Sequence, residues 1–142
     1  MPYPPQLAAF LDDLRFFSDP AERVQALISL AEKFRPVPEE IATKPYAESH
    51  RVPGCESEAF VWVTADEDGR RTLFFDVLNP QGVSAMALAV ILKENLDGAT
   101  PDEIASLPDD LVYDVFGQTL SMGKNLGLMG MIRMTKYLSA NL

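Results

Sequence analysis

Apolar residues recur at helical spacing through the first third of the chain. Leu7, Phe10, Leu11 and Leu14 share one face of a helix expected from about Pro5 to Phe17. Ser18-Asp19-Pro20-Ala21-Glu22 then signals a second start. Asp19 suits the cap, Pro20 the first helical position, and Glu22 sets negative charge near the positive helix end. Val24, Leu27, Ile28, Ala31 and Phe34 extend this stripe until Pro36 and Pro38 end it. Residues 35–49 hold no sustained period and read as a loop.

Then the residue usage changes. Glu58–Thr64 (EAFVWVT) and Arg71–Leu78 (RTLFFDVL) are rich in strand formers, with Asp66-Glu67-Asp68-Gly69 as the turn between them. Arg51–Pro53 is expected as a short strand before them. Helical patterning returns at Val83–Leu96, apolar on nearly every side and closed by Asp97-Gly98. Thr100-Pro101-Asp102-Glu103 has the form of a capping box. Pro108-Asp109-Asp110-Leu111 opens another helix ending near Gly117, and a last one is expected from about Lys124 to Ala140. Helices at both ends of a three-stranded antiparallel sheet predict an α+β fold, the sheet packed against helices.

The 142 residues fit one domain, 1–142, since domains commonly reach ~100–150 residues. Hydrophobic residues are 47% of the chain, enough for a single core, and charged residues 23%. The net charge of −9 opposes a phosphate backbone, and no basic stripe interleaves with aromatics, so nucleic acid is not expected as a partner. The longest apolar run, Ala85–Leu92, falls far short of the ~20 residues of a membrane span, and the N-terminus lacks signal-peptide features. Together with a single cysteine, which allows no internal disulfide, these features predict a cytoplasmic protein.

That cysteine, Cys55, lies in Arg51-Val52-Pro53-Gly54-Cys55-Glu56-Ser57-Glu58. Free cysteines are often small buried hydrophobes. Pro53-Gly54 instead predicts a turn, where Gly54 permits close approach by another molecule. Arg51 and a protonated His50 would favour the thiolate, the nucleophilic form of sulfur, while Glu56 and Glu58 would oppose it. His50, the only histidine, is also the only imidazole available as a base for Cys55. One Cys and one His do not make a zinc site, and an iron–sulfur cluster needs more thiolates, so neither metal nor resident cofactor is expected. Neither a G-x-S-x-G nor a phosphate loop occurs.

Val52-Pro53-Gly54-Cys55-Glu56-Ser57, followed by an aromatic-rich strand, resembles the G-C-x-S motif of the SufE family of sulfur acceptors. Phe60 stands five places after the cysteine, where that family has an aromatic, and Trp62 follows. Gly127-Leu128-Met129-Gly130-Met131-Ile132-Arg133 resembles the family's closing helix, and Ser84–Val90 and Thr100–Ile104 resemble two further segments. The likeness runs from about Leu14 to Leu138. It implies a SufE/IscU-like fold and a protein that takes persulfide sulfur from a pyridoxal-phosphate-dependent cysteine desulfurase (SufS-like) onto Cys55. It would stimulate that enzyme and pass sulfur to an iron–sulfur scaffold (SufBCD-like), acting as an accessory protein rather than an independent enzyme. A homodimer is compatible with this role.

Carried onto this sequence, the resemblance makes Cys55 the acceptor, with Gly54 and Ser57 shaping its loop. Val52 and Phe60 would line an apolar shelter, and Lys124, or Arg133 on the closing helix, would favour the anion. Glu56, His50 and Ser84-Ala85 depart from the usual family residues. Two alternatives stand beside the carrier: a docking or regulatory module that binds a desulfurase without carrying sulfur, and an independent Cys-His thiol enzyme.

Overall fold

The computed structural model describes residues 3–117 and 122–142. A hairpin lies at its centre. Strand β1 (Ala59–Ala65) pairs antiparallel with β2 (Arg71–Val77), from Ala59 opposite Val77 to Ala65 opposite Arg71. Side chains alternate across a strand, so Ala59, Val61 and Val63 enter the main core with Leu73, Phe75 and Val77. Phe60 and Trp62 face the opposite side and join Val37 in a second cluster, against which Ile41, Tyr46 and Phe74 pack. Both faces of β1 are therefore covered, which explains its unbroken apolar run. The turn between the strands is tied by Asp66, whose carboxylate accepts from the amides of Asp68 and Arg70 at 2.9 Å each.

The expected third strand does not form: among the described residues the sheet has two strands. Arg51 makes only an isolated bridge to Phe60, beside one bond from the Val52 amide to the Ala59 carbonyl at 2.9 Å. Pro53 has no N–H with which to extend a ladder, and Gly54, at φ +70°, turns the chain away. Glu48–His50 forms a short 3-10 turn inside the expected loop.

Six helices complete the described residues: α1 (Pro5–Leu14), α2 (Pro20–Ala31), α3 (Val83–Leu96), α4 (Pro101–Ala105), α5 (Leu111–Phe116) and α6 (Met122–Ala140). The anticipated caps form. The Asp19 carboxylate accepts from the Ala21 amide at 2.9 Å, and Thr100 and Glu103 satisfy each other's amides at 3.2 and 2.9 Å. Helix α3 lies on β2 and α6 on β1, with α2 layered outside α3. Being sandwiched, α3 is buried on most sides, as its composition requires. Helix α2 has fewer neighbours, and only part of its expected stripe is covered. Leu27 and Ala31 are buried, while Val24 and Ile28 stay 45% and 38% exposed.

Arg71 fixes α6 to the sheet. Its buried guanidinium donates to Ser139 Oγ at 3.0 Å, the Ser139 carbonyl at 2.9 Å and the Gly69 carbonyl at 2.7 Å. A cation suits the carbonyl-rich end of a helix. With its C-terminal end held, α6 runs along β1 and brings its N-terminal half beside the turn that carries Cys55. No helix among the described residues is long and apolar enough to cross a membrane.

Candidate functional site

Pairing Ala59 with Val77 forces two turns together: the one before β1, which holds Cys55, and the one after β2. Backbone bonds stitch them, from the Leu78 amide to the Glu58 carbonyl at 3.1 Å and from the Asn79 amide to the Ser57 carbonyl at 3.2 Å. Within the first turn the Glu58 amide donates to the Cys55 carbonyl at 3.2 Å. Gly54 and Glu58 both have left-handed backbone, at φ +70° and +53°, one on each side of Cys55. For glycine that conformation is free; for glutamate it costs about 1 kcal/mol, offset here because both backbone groups of Glu58 are bonded.

Three glycines let neighbouring elements close on this turn. A Cβ on Gly130 would lie 2.9 Å from Val52 Cγ1, and one on Gly82 2.9 Å from the Cβ of Ser57. One on Gly127 would lie 3.3 Å from Cys55 Cα and 3.4 Å from its Sγ. The turn therefore rests directly on the bare flank of α6. Cys55 is half-buried, and its side chain opens on a cleft of about 250 Å³. Glu56 and Ser57 line it with Asn79, Gln81 and Gly82 of the second turn. Val83, Ser84 and Ala85 at the start of α3, and Lys124, Gly127 and Leu128 of α6, complete it.

Four of the residues expected at the site, Cys55, Glu56, Ser57 and Lys124, therefore share one cleft. Val52 lies just behind them, 1% exposed against Gly130, and Gly54 sits exposed at the turn. The other three lie elsewhere. Phe60 is on the far face of the sheet, in the cluster with Val37 and Trp62, because one residue's offset from Ala59 reverses its side. His50 stacks on Trp62 with ring centroids 5.3 Å apart, and its Nδ1 donates to the Val61 carbonyl at 2.8 Å. Arg133 pairs with Asp109 at 2.9 Å on the surface. Neither His50 nor Arg133 lines the cleft. Arg51 is engaged by Glu48 at 2.6 Å and lies 4.6 Å above the Phe60 ring.

Gly82, Asn79 and Gln81 were not singled out from sequence, although a signal existed. In any antiparallel hairpin the residues before the first strand neighbour those after the second. Asn79-Pro80-Gln81-Gly82 begins two residues after the end of β2, which places it beside the turn that holds Cys55. Among the described residues no group of three or more His, Cys, Asp or Glu is placed to hold a metal ion. The arrangement offers one accessible sulfur, a polar cleft with an acidic and a basic side chain, and no imidazole.

A family model described as "SufE: Fe-S metabolism associated domain" matches residues 8–138. An uncharacterized SufE-like protein of Synechocystis is 29% identical over 109 residues, 77% of this chain and 64% of that protein. SufE-like protein 1 of Arabidopsis thaliana, named as chloroplastic/mitochondrial, is 26% identical over 132 residues, 92% of this chain and 34% of that protein. The chain thus spans less than two thirds of the length of either curated relative. The solution structure of a hypothetical protein from Thermus thermophilus superposes with a TM-score of 0.77 at 23% identity, covering 98% of this chain and 96% of that one, a likeness of fold. With nearly its whole length matched by the family model, and its one cysteine at the turn where the motif lies, the chain belongs to the SufE family.

Proposed function

We propose that this protein is a sulfur acceptor and carrier for iron–sulfur metabolism, with Cys55 as the acceptor. The observation that carries the proposal is the setting of Cys55: a half-buried thiol at a cleft, in a turn braced on both sides, with no metal-binding group among the described residues. Family membership supports the same chemistry.

The transfer needs little from the acceptor. The Cys55 thiolate attacks the outer sulfur of a donor persulfide. A new sulfur–sulfur bond forms on Cys55 as the donor's sulfur–sulfur bond breaks, and the donor cysteine leaves as a thiolate. One sulfur atom moves, and no outside oxidant or reductant is consumed. The donor is a pyridoxal-phosphate-dependent cysteine desulfurase, which performs the carbon–sulfur cleavage. A second transfer of the same kind passes the sulfur to a scaffold that builds clusters, the cluster being product rather than a resident cofactor. Lys124 at the cleft supplies positive charge for the anionic sulfur, and the half-buried seat limits attack by stray thiols.

The test compares wild type with Cys55→Ser in the presence of a cysteine desulfurase and cysteine. A carrier accelerates alanine release only with the thiol present, while the variant still binds the enzyme. Equal acceleration by both proteins would identify a docking or regulatory module instead.

A further inference from the structure

Helix α6 meets the Cys55 sulfur with a residue that has no side chain. We infer that this residue, Gly127, is a positioning residue that sets how deeply Cys55 is seated, and so controls access to its sulfur. Helix α6 presents Gly127 and Gly130, one turn apart, to the cysteine turn, and the two meet different parts of it. Gly130 faces Val52 Cγ1 at 2.9 Å and the Pro53 carbonyl at 3.5 Å, so it anchors the turn's entry. The three atoms nearest to where a Cβ of Gly127 would stand all belong to Cys55: Cα at 3.3 Å, Sγ at 3.4 Å and Cβ at 3.6 Å. The approach to Cα is a little tighter than ordinary contact, while those to Sγ and Cβ are ordinary contact, so a methyl group there presses on the backbone of Cys55 and shifts the cysteine by a few tenths of an ångström away from α6. The cysteine so shifted borders the open cleft that Glu56, Ser57 and Lys124 also line.

The consequence for the carried sulfur rests on the proposed function. With α6 packed against Sγ, the outer sulfur of a persulfide extends into the cleft. A residue that lifts Cys55 exposes both sulfurs together. Gly127 thus trades helix propensity for depth of seating, since glycine inside a helix is less favourable than alanine.

That trade gives the test its discrimination. In Gly127→Ala the helix gains propensity while the contact with Cys55 tightens, so global stability changes little. The rate of Cys55 alkylation by iodoacetamide, measured on the free protein, is expected to rise several-fold in Gly127→Ala and further in Gly127→Val. The same rate at low urea concentrations stays flat, as for a locally exposed thiol, rather than following global unfolding. If Gly127→Val does not fold, Gly127→Ala carries the comparison alone. A folded Gly127→Ala whose alkylation rate stays within about twofold of wild type would overturn the inference, as would a rise that tracks global unfolding. The alkylation needs no desulfurase, so it stands or falls independently of the carrier function. In a second arm, wild type and Gly127→Ala are loaded with sulfur and treated with dithiothreitol, whose two thiols release the outer sulfur as sulfide and close to a disulfide. Faster release from the variant supports the seat, and an unchanged release rate counts against it. Failure of both proteins to load would refute the carrier function and leave the alkylation result standing.

Discussion

Tyr46 is the latch of the loop that covers the second face of the sheet, and deleting its hydroxyl measures what that latch contributes. Its hydroxyl donates to Asp76 Oδ2 at 2.6 Å. Asp76 is only 5% exposed, and its other oxygen accepts the Val77 amide at 2.8 Å. The Tyr46 ring meets Phe60 and Trp62 edge-on at 5.1 and 4.8 Å, contacts that phenylalanine keeps. Tyr46→Phe therefore removes one hydrogen bond to a buried carboxylate and little else. Bonds to charged groups contribute about 1.5–3 kcal/mol, and part of the loss is the carboxylate oxygen left unsatisfied. For a chain of this size that is a fall in melting temperature of about 5–12 °C.

The same bond has a pH signature. Burial first, then the bond to Asp76 and its negative charge, pushes the Tyr46 phenol up to about 12, against an ordinary value of 10.0. Folding thus favours the protonated phenol. Its contribution is complete below pH 10 and is lost as pH rises from there through about 12. Tyr3, raised by burial and by its bond to Asp114, adds to this alkaline loss and remains in the variant. Urea denaturation of wild type and Tyr46→Phe from neutral pH upward should show the two stability curves converging above pH 10. A neutral-pH difference below about 0.5 kcal/mol, or curves that stay parallel, would refute the assignment of the latch.

Two other substitutions test the placement of elements around the site. Arg71→Ala removes two donated bonds to Ser139 of α6 and one to the Gly69 carbonyl of the hairpin turn, and should destabilise by about 2–4 kcal/mol in urea denaturation, with hydrogen exchange fastest in the last turns of α6. Phe60→Ala vacates the second cluster and should cost about 3–5 kcal/mol in chemical denaturation. Under conditions where that variant remains folded, its Cys55 alkylation rate should match wild type, because Phe60 lies across the sheet from the cleft.

Much of the architecture was legible because each signal was local. The period of Leu7, Leu11 and Leu14, the caps at Asp19 and Thr100, and the unbroken apolar run of α3 all appear where the sequence set them. The third strand failed for a reason also written in the chain: a proline and a glycine follow Val52 at once, leaving room for a bridge alone. At the candidate site, Glu56, Ser57 and Lys124 lie with Cys55 on one cleft, the first two because they follow it directly in sequence. Phe60 was expected to help line the apolar shelter for the sulfur. Its strand offset sends it to the other face, and the pairing register that decides this depends on β2, which proximity in sequence does not reveal. Gly127 belonged to a recognised motif, yet its contact with the sulfur comes from the crossing of α6 over the cysteine turn. A missing side chain leaves no pattern of polarity to read.

The central claim is that Cys55 receives sulfur, and intact mass tests it most directly. The protein is incubated with an active cysteine desulfurase and cysteine, then weighed under non-reducing conditions. A species one sulfur atom heavier is expected, located on Cys55 by peptide mapping, removed by dithiothreitol and absent from Cys55→Ser. An unchanged mass beside a desulfurase shown to be turning over, or an adduct that persists in Cys55→Ser, would contradict it.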